Sequence, residues 1–367
     1  MKQIVMLQGM GNNERGWARL VSKFGRVVMI QQGMIQHVEI WEQEELVYDG
    51  PEENLMASRK WDERLFSLLT VMRSLRSVRR FSSAGKIDVV IAPNYNMGLA
   101  ALLLKRSGKA RKVIVWLSDH LPPRGSLAVR VHRRITGALN RYVCRRADEV
   151  WTVSPRIPAA AVNPRNFVVP ICINDNQTPS GPRNEIGYIG IPTADHALEL
   201  LFEVGRKHGF RINIIGHSNY LESIRHLAPE GTVFHGLLND QNRINAVLSR
   251  CFCGYAVYRN TGPDSYSYFG IPSKAFAFLS SNTPVVTTNT AHFTRTLADA
   301  GVGHVVEPSP SEVEFAILDI QRKFSQFTES IVRFRERWNR NAEQFHRERL
   351  SAVLGESEPL FRGDLAV

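Results

Sequence analysis

Residues 268–286 read YFGIPSKAFAFLSSNTPVV. Pro272 suits the first position of a helix, where its missing N–H costs nothing and its fixed φ already matches the helical value. Ser273 and Lys274 then fall in the first turn. Backbone N–H groups there point outward without partners, and the helix dipole leaves partial positive charge. Such a helix start accepts a phosphate, and a lysine adds a full, mobile charge to it. A capped helix with an exposed lysine is the plainer reading of the same residues. Pro284 ends the segment, and Val285-Val286 open a short apolar strand. A helix leading into a short, uninterrupted apolar strand is the pattern of a parallel sheet covered on both faces.

The same alternation runs outward in both directions. Upstream, strands are expected at Ile4–Gln8, Arg26–Ile30, Ile87–Ala92, Lys112–Leu117 and Glu149–Val153. Helices are expected at Glu14–Phe24, Leu65–Val78, Met97–Leu104 and Leu127–Arg146, and Val38–Tyr48 fits either a strand or a hairpin. A polar stretch rich in Pro and Gly, NDNQTPSGPRN at 174–184, reads as a linker. A second series follows. Strands are expected at Glu185–Ile189, Arg211–Ile215, Thr232–His235, Cys253–Tyr258, Pro284–Thr288 and Gly303–Glu307. Helices lie between them, the first over Ala194–His208, and two long helices close the chain. The fold class is therefore α/β, two doubly wound Rossmann-like domains.

The segment from Pro272 through Lys274 to Pro284-Val285-Val286 resembles the donor-binding segment of many GT-B glycosyltransferases, with matching spacing. Gly187-Tyr188-Ile189-Gly190 is similar to the strand and glycine turn that open the donor domain of that family. Val233-Phe234-His235-Gly236 resembles the strand whose following loop receives the nucleotide base. Ala147–Ser154 resembles the last strand of the acceptor domain. The resemblance implies an acceptor domain over residues 1–173, a linker over 174–184, a nucleotide-sugar domain over 185–328, and a final helix and tail over 329–367 that crosses back to the first domain. It implies a cleft between the two domains. It also implies a donor that is a nucleotide-diphosphate sugar, a UDP-sugar above others, with no required cofactor and no metal.

The candidate site residues follow from both readings. Lys274, Ser273 and Gly270 surround the helix start, and Gly190 and Gly236 end donor-domain strands. Tyr258 and Arg259 end another strand, within reach of a diphosphate or sugar. Ser265, Tyr266 and Tyr268 precede the lysine helix. Many retaining members of the family carry glutamates where this chain has Phe269 and Ala277, so the ribose contact has no counterpart here. Bacterial glucuronosyltransferases, which invert, use a lysine at this helix start without that pair. Inversion needs a general base for the acceptor hydroxyl. Asp119 and His120 follow strand Lys112–Leu117 at its C-terminal end, where open α/β sheets place their ligands. Asp119 also suits a plain capping role in the following turn. Gly9-Met10-Gly11 after the first strand is a weak phosphate-turn signal.

Composition is that of an ordinary globular chain of 367 residues, 43% hydrophobic and 22% charged, long enough for two cores. The start of the chain carries no apolar leader, so the cytoplasm is the expected compartment. Net charge is +11, concentrated in the first half. Its three basic runs are Arg73–Lys86, Lys105–Lys112 and Arg124–Arg146. They suit an anionic membrane surface or a phosphorylated acceptor as well as plain solvated helix faces. No nucleic-acid motif accompanies them, and no nucleic-acid partner is expected. Cys251 and Cys253 sit in the apolar stretch CFCGYAVY and read as buried thiols facing one core. The expected function is sugar transfer to a glycan or lipid-linked acceptor, in bacterial surface polysaccharide or glycoconjugate assembly. A nucleotide-sugar epimerase or hydrolase on the same fold, or a non-catalytic basic binding protein, are the rival readings.

Overall fold

The structure is a computed structural model that describes residues 1–8, 13–31, 37–51, 75–76, 78, 80, 85–118, 120, 126–176, 182–238, 240–260, 262–263, 265–270 and 273–355. The expected helix over Leu65–Val78 lies largely outside them, and Gly9-Met10-Gly11 lies wholly outside. The chain divides into two compact units, Met1–Cys172 with the segment from Asn341 on, and Ile173–Arg340.

The first unit is built on an eight-stranded sheet in the order β4-β3-β2-β1-β5-β6-β7-β8. Its strands are β1 (Gln3–Gln8), β2 (Arg26–Gln31), β3 (His37–Glu42), β4 (Glu45–Pro51), β5 (Ile87–Pro93), β6 (Ala110–Leu117), β7 (Glu149–Thr152) and β8 (Asn166–Val168). Six are parallel, and β3 and β4 form an antiparallel hairpin on the β2 edge. The sequence left Val38–Tyr48 open between strand and hairpin. The hairpin forms because Gln43 and Glu44 both take positive φ, 48° and 70°, the backbone sense that matches the twist of two joined strands. The helices are α1 (Asn13–Val21), α2 (Asn94–Arg106) and α3 (Leu127–Arg146). Gly98 lets α2 meet α3 closely: a Cβ there would lie 2.3 Å from Cγ1 of Val143.

The core of this unit closes around three tryptophans. The Trp17 ring packs 4.9 Å from that of Trp116 and 6.1 Å from that of Trp151. His346, from the last helix, completes the group: Trp17 Nε1–H donates to its Nδ1 at 3.4 Å, and its Nε2–H donates to the Pro170 carbonyl at 3.3 Å. Burial pushes the His346 pKa down to about 4. The unfolded chain therefore binds this proton more tightly than the folded one. Stability from His346 is full above about pH 6.5 and is lost as pH falls toward 4, a loss of roughly 3 kcal/mol. Urea unfolding at pH 7.0, 5.5 and 4.5 is expected to show it, and His346→Leu is expected to flatten the slope between these pH values.

In the second unit every strand is parallel: β9 (Glu185–Ile189), β10 (Arg211–Ile215), β11 (Val233–Gly236), β12 (Cys251–Ala256), β13 (Val285–Thr287) and β14 (Gly303–Val305). Their order is β11-β10-β9-β12-β13-β14. The chain winds one way from β9 to β11, then returns to the far side of β9 with β12. Strand order thus reverses between β9 and β12, and ligands of open α/β sheets collect at the carboxyl ends flanking such a reversal. The helices are α4 (Leu198–His208), α5 (Asn219–Ile224), α6 (Gln241–Leu248), α7 (Tyr266–Phe269), α8 (Ser273–Leu279), α9 (Thr294–Asp299) and α10 (Pro310–Arg322). A last helix, α11 (Phe324–Leu354), begins in this unit, and its residues from Asn341 on belong to the first.

Ala194–His208 was expected as one helix and is not. Thr193 and His196 close a 3-10 turn at Ala194–His196 by a reciprocal cap, and Ala197 takes the left-handed conformation, φ 46°. The buried Tyr255 hydroxyl donates to the Ala197 carbonyl at 2.7 Å and holds that kink. The helix starts only after it. The thiols of Cys251 and Cys253 are buried and free, as the strand reading expected. Burial raises both thiol pKa values, that of Cys251 to about 12. Among the described residues no helix is long and apolar enough to cross a membrane.

Candidate functional site

Small residues on the two central strands of the second unit decide where α8 lies. A Cβ on Gly254 of β12 would meet Cγ of Phe278 at 2.3 Å, and one on Gly187 of β9 would meet its Cε1 at 2.9 Å. The Phe278 ring occupies the room those side chains would take. The helix therefore sits low on the sheet, directly over the β9–β12 reversal. Arg335 donates to the carbonyl of Leu279 at its far end, at 3.2 Å. Its first turn, Ser273 and Lys274, reaches the carboxyl ends of the strands. Pro272 lies outside the described residues.

Three glycines line that edge. Gly190, Gly216 and Gly236 follow or end β9, β10 and β11 with φ of 126°, 141° and 66°. Gly190 N–H donates to Ile215 O at 2.9 Å and Gly216 N–H to Gly236 O at 2.8 Å. The ends are thus tied together by main chain alone. A Cβ on Gly190 would stand 2.7 Å from Cε of Lys274, so the lysine stem lies across bare backbone.

Lys274 is half-buried. Its Nζ donates to the Tyr258 hydroxyl at 3.1 Å and lies 5.0 Å from the centre of that ring. It also stands 3.0 Å from Nε2 of His196. His196 is only 8% exposed. Thr193 N–H donates to its Nδ1 at 2.9 Å. A backbone N–H can only donate, so Nδ1 must be the bare nitrogen and the neutral ring carries its proton on Nε2. Burial, then the charge of Lys274, push the His196 pKa down to about 3, and the ring is neutral at working pH. The ammonium and the Nε2 edge of His196 therefore converge on one point at the strand ends, 3.0 Å apart. The arrangement is built for an anionic oxygen that both can reach.

The other expected site residues fall around this point or apart from it. Arg259 is ion-paired with Glu199, which also accepts from the Tyr220 hydroxyl at 3.1 Å. Arg259 N–H donates to the Asp195 carbonyl at 2.7 Å. The Asp195 carboxylate accepts from Asn260 N–H at 2.8 Å and from the Ser265 hydroxyl at 3.2 Å, pinning the loop after β12. Gly270 is buried beside α7, and Ser273 is exposed. Phe269 is buried and Ala277 half-buried, so neither position offers a carboxylate. His120 lies in the first unit after β6. Burial and the nearby Arg141 lower its pKa and keep the imidazole neutral. Asp119 lies outside the described residues. His196 and Asp195 were not expected from sequence. Their signal was the spacing Thr193-x-x-His196, a variant of the capping-box pattern, directly after a strand and glycine.

Residues 44–170 match the family described as Glycosyl transferase 4-like domain. No curated protein matches the chain by sequence. Solved structures do match along nearly its whole length. A sucrose-phosphate synthase from Thermosynechococcus elongatus is 13% identical with a TM-score of 0.69, covering 97% of this chain and 100% of its own. The chain has the GT-B fold. Within that fold, Anabaena Alr3699/HepE in complex with UDP-glucose is similar at a TM-score of 0.62 and 13% identity, covering 96% of this chain and 100% of its own. A structure described as a UDP-N-acetylglucosamine 2-epimerase from Listeria monocytogenes is similar at 0.58 and 10% identity, covering 100% of each chain. The solved structures show the fold, and the likeness to the Glycosyl transferase 4-like domain covers residues 44–170.

Proposed function

We propose that this GT-B chain is a glycosyltransferase that takes a sugar from a nucleotide-diphosphate donor, a UDP-sugar, and passes it to a glycan or lipid-linked acceptor. The observation that carries this reading is the convergence of Lys274 Nζ and His196 Nε2 at the strand reversal, 3.0 Å apart, with the Tyr258 hydroxyl beside them. A diphosphate oxygen placed there is bonded by both, and the Tyr258 hydroxyl adds a third contact. Negative charge builds on the leaving diphosphate as the glycosidic bond breaks, so these groups bind the transition state more tightly than the donor. Gly236, where no atom lies within 4 Å of an added Cβ, leaves the end of β11 open for the nucleotide, while Gly190 and Gly216 let the neighbouring strand ends and the Lys274 stem pack closely. Arg259, held by Glu199, together with Gly270 and Ser273 on either side of the helix start, are the further candidates for donor contacts. This reading requires no metal or organic cofactor.

The first unit binds the acceptor. His120, kept neutral by burial, is able to take the proton of an acceptor hydroxyl, and Asp119 beside it is the alternative base. The lack of carboxylates at Phe269 and Ala277 favours direct displacement with inversion over the retaining arrangement. It also speaks against an epimerase, which needs acid and base groups around the sugar. The setting that fits is bacterial surface polysaccharide or glycoconjugate assembly, at the cytoplasmic face of an anionic membrane.

The test is a thermal-shift screen of UDP, GDP and ADP with their sugars. A ligand at a hundred times its Kd stabilises by about 2.7 kcal/mol. UDP and at least one UDP-sugar are expected to raise the unfolding midpoint by several degrees. No shift with any nucleotide overturns the reading, and slow conversion of the UDP-sugar to its epimer favours the epimerase instead.

A further inference from the structure

Most surface helices turn their apolar face inward. Helix α3 does the reverse over most of its length. It buries Val143 and Cys144 near its end. At about 100° per residue, Leu127, Val131, Ile135, Ala138 and Tyr142 form one stripe on the opposite side. Leu127 is 70% exposed, Val131 45%, Ile135 55% and Tyr142 45%, and Ala138 is exposed as well. Arg130, Arg134 and Arg141 run along one flank of the stripe. The helix carries six arginines and no aspartate or glutamate.

The neighbouring basic run behaves differently, and the contrast is informative. Lys105 and Lys112 pair with Asp148, and Arg111 pairs with Asp88. Those cations serve the fold. Arg146 in α3 instead lies 3.9 Å over the Tyr142 ring and extends the outer face. Of the other basic residues, Arg73, Arg79 and Arg124 lie outside the described residues.

We infer that α3 is a docking helix for an anionic lipid bilayer, lying in the plane of the interface. Its stripe enters the headgroup–acyl boundary, and the flanking arginines meet lipid phosphates. An outward apolar stripe bordered by arginine is the combination that an anionic bilayer rewards at once through apolar burial and charge. A nucleic acid would use the arginines but gain nothing from Leu127, Val131 and Ile135. A second protein copy would bring its own arginines against these. The inference names the surface behind the membrane setting proposed above, and it stands apart from the nucleotide site in the other unit.

The test is sedimentation of the full chain with vesicles of phosphatidylglycerol and phosphatidylcholine, against vesicles of phosphatidylcholine alone. Binding to the anionic vesicles only is expected. Replacing Arg130, Arg134 and Arg141 together with glutamine is expected to weaken it by about a hundredfold, since each cation near the surface is worth a factor of roughly five. The triple change Leu127→Asn, Val131→Asn, Ile135→Asn is expected to lose vesicle binding with the charge intact. All six positions are at the surface, and an unchanged unfolding midpoint for each variant checks the fold. Equal binding to both vesicle types, no binding to either, or full binding by the asparagine variant overturns the inference. UDP-induced thermal shifts, measured on the same samples, report the nucleotide site separately. Loss of those shifts with vesicle binding intact would count against the transferase reading and leave α3 standing.

Discussion

A Lys274→Met chain is expected to bind UDP about a hundredfold more weakly while unfolding at the same temperature as its parent, or a slightly higher one. The loss follows from the charge. A charge-assisted hydrogen bond to a phosphate, made by a half-buried ammonium, is worth roughly 2–3 kcal/mol, and a tenfold change costs 1.4 kcal/mol. The stability follows from the donor conflict. In the free chain the Lys274 ammonium has the Tyr258 oxygen as its acceptor and stands 3.0 Å from the Nε2–H of His196. Methionine has nearly the same length, keeps the stem over Gly190 and removes that conflict. Sites built for a ligand commonly store such strain, and filling them with an apolar group stabilises the empty protein. His196→Phe keeps the ring and drops Nε2–H, so UDP affinity is expected to fall about tenfold. It also deprives Thr193 N–H of its acceptor, so this variant loses stability where Lys274→Met does not. Since the His196 pKa lies near 3, UDP affinity between pH 5 and 8 follows the phosphate and not this imidazole. Titration calorimetry and thermal unfolding on the three chains decide the matter. Equal UDP affinity for parent and Lys274→Met would remove the diphosphate from this site.

The architecture was legible because its signals are local. Short apolar strands such as Ile4–Leu7 and Ile87–Ala92 are buried on both faces, and the helices between them fit no other layering. The hairpin β3–β4 was half legible. Its strands show in the alternation, but the turn rests on Gln43 and Glu44, two residues with no special taste for positive φ. The break at Ala197 left little mark, since alanine favours a helix, the Thr193–His196 cap is a variant of the usual pattern, and the Tyr255 hydroxyl that bonds the Ala197 carbonyl lies 58 residues away in the chain. The site divides in the same way. Lys274 showed because a proline-led helix start is local chemistry. His196 did not, because its meaning depends on partners at sequence distance. It stands 78 residues from Lys274, which is itself 16 from Tyr258. Only the strand order, which seats β12 beside β9, brings the three together. The pairing of Arg259 with Glu199 was hidden for the same reason: each side chain is unremarkable until the sheet is assembled.

Gly216→Val is expected to cost at least about 3 kcal/mol and to abolish measurable UDP binding. A Cβ at this position would stand 1.9 Å from the Gly190 carbonyl oxygen and 3.3 Å from Cδ of Pro192. Its φ of 141° is one that a branched side chain does not tolerate. Neither strand end has room to retreat. Gly190 N–H is bonded to Ile215 O, and Gly216 N–H to Gly236 O, so moving one end breaks the ties of both neighbours. Strain of this kind costs about 1–3 kcal/mol before any clash is counted. The displaced Gly190 also carries the Lys274 stem, so the damage passes straight to the ammonium. Gly236→Ala separates the two causes. Its φ is also positive, at 66°, but no atom lies within 4 Å of the added Cβ. That variant bears backbone strain alone, about 1 kcal/mol, and is expected to keep UDP binding within a few-fold of the parent. Urea unfolding and calorimetry on both chains test the comparison. Were Gly216→Val to behave like Gly236→Ala, close main-chain contact between Gly190 and Gly216 would not be what shapes the proposed nucleotide site, and the glycines at the strand ends would have to be explained by turn geometry alone.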